Sequence, residues 1–495
     1  MKKATPEKSR LQGTFKLPNS QEVFGELRLA GKKSVLRLSS SSDFPSLHDV
    51  SYLYGTTLDH FKVTCIDCVS SSQGTTSRGN EVTYHYVDVF PHFVTVGDEH
   101  FDPSASVVSE IHFSVNDLTS MFYDYDAFGH VIDAKPLIDS VLAEKRRRRS
   151  VEVGEWPQIA YFTGKSTVIE VNTEIGTVVV RNRPSWKVGG SDGVFIKNRM
   201  IVSLESSSPT TFSDALGRMM TVVRFLSVLA GREQEINNIH LNMTTTSDAN
   251  RSPLRVHWSL APKCSGAKYS NLKPESRDMP LDPIHRPEEF STVLQNWVSR
   301  EEGWRVARVR YLSGLRKGNS YDANRLIGAA NMFDILPREA GPAATPLPAD
   351  LAASQAACLD ILRAHSQSQD RDSAISAIKR MGKPSLPKKV QYRTALVERH
   401  FGARLTDLSY LAKVAVQCRN YFVHGGSDDF RFSAAEPFMS FLTDALEFTF
   451  AASDLIEAGW AAAQWNGKPH SDGHSFARFL WSYDINLSDL KRAMA

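Results

Sequence analysis

The apolar residues of this chain change period part-way along, and that change constrains the fold more than any other feature. From residue 11 to about 260 they alternate, as in "EVFGELRL", "DHFKVTCIDCV", "EVTYHYVDVFPHFVTV" and "STVIEVNTEIGTVVVRN", with Gly, Asn, Ser and Pro between the runs. Alternation places every second side chain on one face, as in half-buried strands. After Pro287 the spacing becomes three and four, as in "EEFSTVLQNWVSREEGWRVARVRYLSGL" and "LTDLSYLAKVAVQCRNYFVHGG", the period of helices in a bundle. One helix interrupts the strands, "FSDALGRMMTVVRFLSVLAGRE", with Leu216, Met219, Met220 and Val223 on its stripe and Gly231 as its stop. The expected fold is an α+β domain rich in antiparallel strands over residues 1–262, a linker over 263–286 and an all-α bundle over 287–495.

At 495 residues the chain can bury more than one core. Its net charge of +3 is too small to argue for nucleic acid by itself, so any phosphate-binding surface has to be local. Five scattered cysteines, an odd number, fit reduced thiols better than a disulfide framework. With no apolar run long enough to cross a bilayer and no apolar core in the opening "MKKATPEKSRLQG", the expectation is a cytoplasmic protein that does not enter membranes.

The stretch "VAVQCRNYFVHGG", Val414 to Gly426, raises the question of function. Leu408, Leu411, Ala415, Cys418 and Phe422 form one core-facing stripe, which leaves Arg419 at its edge and turns Asn420 and His424, four apart, to the accessible side. Gly425 and Gly426 can end the helix, so His424 is expected in the final turn, where imidazole can shuttle a proton near neutral pH. An Arg followed by a His after four to six residues is common here: Arg78 to His85, Arg251 to His257 and Arg393 to His400 also show it. Only Arg419 combines it with a polar neighbour, a helix end and the double glycine.

Arg-x4-His with a polar residue after the Arg, at the end of a bundle helix, resembles the motif of HEPN ribonucleases. "ANRLIGAANMFDILP" is similar to the helix that packs on the motif helix in that superfamily, and "FMSFLTDALEFTFAASDLI" to the one that follows it. The bundle behind a β-rich half opening with "GELRLAGKKSVLRL" resembles, more narrowly, the ApeA group of bacterial anti-phage proteins. The resemblance implies a nuclease that needs no metal or cofactor. His424 would act as general acid or base, Arg419 would clamp the scissile phosphate, and Asn420 would orient His424 or bind a phosphate or base edge. It further implies a homodimer, or a higher oligomer, in which two motifs line one cleft. The substrate would be tRNA, cut in the anticodon loop, and the trigger a phage structural protein sensed by the N-terminal half. The competing expectation is a catalytically silent HEPN dimerisation module carrying a ligand- or protein-binding β domain.

Other features are weaker. Asp334, in line with Ile327 and Ala330, is expected on the apolar side of its helix, either paired with Arg419 or as a partly exposed structural acid. Lys145, Arg146, Arg147, Arg148 and Arg149 form the one dense basic run, a candidate RNA-backbone contact or a solvated helix end. Cys65 and Cys68 make a lone CxxC, far short of the four convergent ligands of a zinc site and best read as ordinary thiols. "SMFYDYDAFGH" is expected to pack in the core. No Walker loop, no GxGxxG after a strand and no HExxH occurs.

Overall fold

The computed structural model describes residues 9–47, 50–79, 81–187, 189–191, 193–244, 252–263, 273–343, 346–425 and 430–495. The chain divides into two compact units, the first closing at Val298 and the second running from Ser299 to Ala495.

In the first unit the alternating runs form strands. Ser9–Lys16, Glu22–Leu29, Val35–Ser40, Tyr52–Thr57, Lys62–Arg78 and Glu81–Gly97 pair antiparallel in a closed barrel, because Glu81–Gly97 bonds to both Val35–Ser40 and Lys62–Arg78. Glu22–Leu29 alternates exposed and buried residues along its length, as its sequence requires. Phe15, Leu27, Leu36, Leu38, Val63 and Val94 fill the interior. Gly25 and Gly55 flank the Phe15 ring, and a methyl group on either would collide with it. Cys65 and Cys68 belong to the same core, where burial pushes the Cys65 thiol well up and that of Cys68 to about 12.

The far end of Glu81–Gly97 stays bonded to Lys62–Arg78 on one edge and pairs on the other with Leu254–Trp258. From there an antiparallel sheet continues through Ile236–Met243, Val108–Val115, Met200–Thr210, Gly176–Asn182 and Thr167–Thr173. The Phe212–Ala230 helix covers it. Its N-cap Thr211 accepts from the Asp214 amide, and Gly231 ends it in the left-handed region at φ 63°.

Two expectations need correction. Residues 263–286 are not a linker as a whole: 264–272 lie outside the described residues, but Asp278, Met279 and Leu281 are buried within the first unit. The Pro287–Ser299 helix does not open the bundle. Phe290 packs edge-on against Phe122 and Phe225, and Trp297 against Phe225, so this apolar face belongs to the first unit. Phe122 is thus buried as expected for the "SMFYDYDAFGH" stretch, although Tyr125 is exposed.

The second unit is helical throughout its described residues apart from turns and loops. Glu301–Arg316, Ala323–Asp334, Leu386–Phe401, Leu408–His424 and Met439–Ala458 form the bundle, with Phe450 against Trp304, Tyr311 and Phe333 at its centre. Met439–Ala458 is buried on nearly every side, which accounts for its apolar sequence. The helices Ala349–Ala364 and Gln369–Ile378 also form, yet they pack on each other and bury no residue of their own.

Candidate active site

The motif helix, Leu408–His424, owes its position to its stripe: Leu408, Leu411, Ala415 and Cys418 are fully buried. Arg419 and Asn420 are half-buried at the edge and His424 is exposed as the last helical residue. Gly425 follows at φ 84°, a conformation that suits glycine, while its amide still donates to the Tyr421 carbonyl. Gly426 lies outside the described residues. Phe432 returns to stack flat on Tyr421, with ring centroids 4.0 Å apart, and meets Phe422 edge-on, which pins the helix end from the chain that follows it.

Three side chains converge here. Arg419 Nη1 donates to Asn420 Oδ1 at 3.0 Å and lies 3.4 Å from His424 Nε2. A guanidinium can only donate, so Nε2 is the accepting nitrogen in this arrangement and the ring proton belongs on Nδ1. Arg419 Nη2 donates to Asn331 Oδ1 at 2.9 Å, from the Ala323–Asp334 helix alongside. The Asn420 amide oxygen is thus turned toward Arg419.

Asn331 was not among the residues singled out from the sequence. The residue that was, Asp334, is exposed in the last turn of its helix and binds Lys389 through its carboxylate and carbonyl oxygens. It does not reach Arg419, because the helix ends there and the side chain turns outward. The polar residue one turn earlier takes that place.

The partners of Arg419 are two neutral amides and the His424 imidazole, and among the described residues no carboxylate pairs with it. Its Nε is buried without a hydrogen bond. A guanidinium bonded to no carboxylate among the described residues, with its Nε unused, beside an accepting imidazole nitrogen, suits an anion that carries a hydroxyl to be deprotonated. The Arg393–His400 pair is built differently. Arg393 is fully buried, bonded to Glu457, Ser453 and the Ala340 carbonyl, and His400 Nδ1 donates within its own helix, to the Leu396 carbonyl. The basic run is on the first unit: Lys145 and Arg146 close the Lys135–Arg146 helix, Arg147, Arg148 and Arg149 follow it, all five are exposed, and Arg146 is tied to Asp139.

Residues 10–297 match the family model for ApeA N-terminal domain 1, and residues 327–464 match the model for Apea-like HEPN. The chain belongs to the ApeA family of HEPN proteins. The first match ends one residue before the first structural unit does, and the second contains Asn331, Arg419, Asn420 and His424. ApeA-like HEPN proteins are proteins of anti-phage defence, and HEPN domains are generally ribonucleases that dimerise and bind RNA. No curated protein and no solved structure matches the chain. No helix among the described residues is long and apolar enough to cross a membrane.

Proposed function

We propose that this protein is a metal-independent endoribonuclease of the bacterial cytoplasm that cuts host tRNA, in the anticodon loop, when its N-terminal unit senses a phage structural protein. The observation that carries the chemistry is the Arg419 guanidinium, bonded to two amides and to no carboxylate among the described residues, held beside the accepting Nε2 of His424. Unpaired loop nucleotides suit such a site, because their 2′-hydroxyls can swing into line with the neighbouring phosphate.

His424 Nε2 takes the 2′-hydroxyl proton as O2′ bonds to phosphorus. Arg419 donates to the non-bridging oxygens, whose negative charge grows in the transition state. The P–O5′ bond then breaks and the imidazolium returns its proton to the leaving 5′-oxygen, giving a 2′,3′-cyclic phosphate and a 5′-hydroxyl. Asn420 and Asn331 hold the guanidinium fork in register. A homodimer, with two such sites facing one cleft, is the assembly we assign to the active state.

The test is incubation of the purified full chain and its His424→Ala variant with bulk bacterial tRNA, with and without EDTA. We expect the wild type to cut in EDTA and to leave cyclic-phosphate ends, and the variant to leave the RNA intact. Cleavage abolished by chelation would overturn the metal-independent reading, and undiminished cleavage by His424→Ala would overturn the site.

A further inference from the structure

Beside the motif lies a cleft of about 320 Å³ within the helical unit. Arg310, Ser313 and Lys317, at steps of three and four, line it from the Glu301–Arg316 helix, and Asn324, Gly328 and Asn331, at steps of four and three, line it from Ala323–Asp334. Two facing helix stripes therefore make one groove. Its volume is at the small end for ligand clefts, enough for a single nucleotide and too small for a duplex.

The groove joins the proposed active site through Asn331. Because Arg419 only donates, the Asn331 carbonyl must face it, and the Asn331 amide nitrogen is left for the groove side. At the rim, Arg310 is exposed and has no carboxylate partner among the described residues, whereas Lys317 shares its charge with Asp322. Gly328 sits in mid-helix, where glycine costs stability, and a Cβ built on it meets nothing within 4 Å. The missing side chain keeps the groove open, and the carbons of Ile327 give it an apolar wall.

The geometry points to this groove as the subsite for the RNA nucleotide next to the scissile phosphate: Arg310 holds that nucleotide's phosphate, the Asn324 and Asn331 amides meet its polar edges, and Gly328 leaves room for its ring. This rests on the ribonuclease reading above and adds to it where the substrate strand runs.

The experiment uses the full chain in a His424→Ala background, so that binding is read without cleavage. Fluorescence anisotropy follows a labelled single-stranded 12-nucleotide RNA of mixed sequence against Arg310→Glu, Gly328→Leu and, as a control, Arg305→Glu, an exposed residue of the same helix outside the groove. Arg310→Glu is expected to weaken binding about tenfold and to lower the salt slope by about one. Gly328→Leu, which has space for its side chain, should weaken binding as strongly while the melting temperature holds, and Arg305→Glu should change affinity less than about twofold. In active protein, Gly328→Leu should raise KM more than it lowers kcat.

Equal losses for Arg305→Glu and Arg310→Glu would overturn the subsite in favour of bulk charge. A change of oligomeric state in Arg310→Glu would overturn it in favour of a contact between copies. If the wild type cuts RNA but Gly328→Leu binds and cuts normally, the groove proposal fails alone; if the groove variants lose binding but the wild type does not cut, the ribonuclease reading fails alone.

Discussion

Two neighbouring helices of the second unit each carry an arginine followed within seven residues by a histidine, and the two pairs have opposite fates. Arg393 is enclosed, its charge cancelled by Glu457 and its plane set over the Trp304 ring, 4.9 Å from the centroid. Trp304 meets Arg300 and Arg308 as well, and both reach the buried Asp454, whose carboxyl they hold below the usual range against the opposing effect of burial. Arg419 has amides where Arg393 has a carboxylate. A guanidinium already neutralised has little left to offer a phosphate, so the spacing of the two residues matters less than what the arginine is bonded to.

The largest expected effect separates the two arginines outright. Arg393→Ala takes from Glu457 one of its two arginines, Arg300 being the other, removes the bonds to Ser453 and the Ala340 carbonyl and empties the space over Trp304, so the helical unit should lose about 3 kcal/mol and melt about 6–12 °C lower. Arg419→Ala should cut RNA about 10²–10³-fold more slowly yet melt within about 2 °C of the wild type. Calorimetry and single-turnover cleavage on both variants check this, and a stability loss shared equally by the two would erase the distinction.

A smaller effect comes from making the second arginine resemble the first. Asn331→Asp places a carboxylate where the accepting amide oxygen now sits, 2.9 Å from Nη2. RNA affinity should fall about tenfold at physiological salt, with melting unchanged or slightly raised. Asn331→Ala should be milder. The opposite order, Ala worse than Asp, would mean that Asn331 only braces the fold.

The smallest effect concerns pH. Asp444 accepts from the Tyr321 hydroxyl near the Arg325–Glu447 pair, and burial, with the adjacent Glu447, pushes its carboxyl up to about 7. The folded unit then keeps a proton that the unfolded chain releases above about pH 4. The stabilisation is complete below that pH and fades as pH rises through about 7. Its side chain is 34% exposed, so melting should fall by only about 2 °C between pH 6 and pH 8, and Asp444→Asn should flatten that slope.

Much of this was legible beforehand. The alternation of Glu22–Leu29, the capped Phe212–Ala230 helix and the stripe of the motif helix follow from side-chain period, because one face of each is buried against a large core. Period does not say which body a helix packs on, and so Pro287–Ser299 was assigned to the wrong one. Nor does it distinguish a bundle helix from one like Ala349–Ala364, whose alanines suit a helix with or without a neighbour. Asn331 was overlooked for a chemical reason. A search for the partner of an arginine looks for a carboxylate, and the feature that keeps Arg419 available is that its partner is not one.

The strand Glu81–Gly97 has a consequence for the order of assembly. It closes the barrel against residues made earlier, but its far end waits for Leu254–Trp258, more than 150 residues later, and the sheet's helical cover waits for Pro287–Ser299. Pairings over such separations form slowly, and synthesis adds only about 5–20 residues per second. Every segment they need nevertheless precedes Glu301, so a ribosome delivers the whole first unit before the first helix of the second. The half that bears His424 is therefore always synthesised after every segment that the half before it needs.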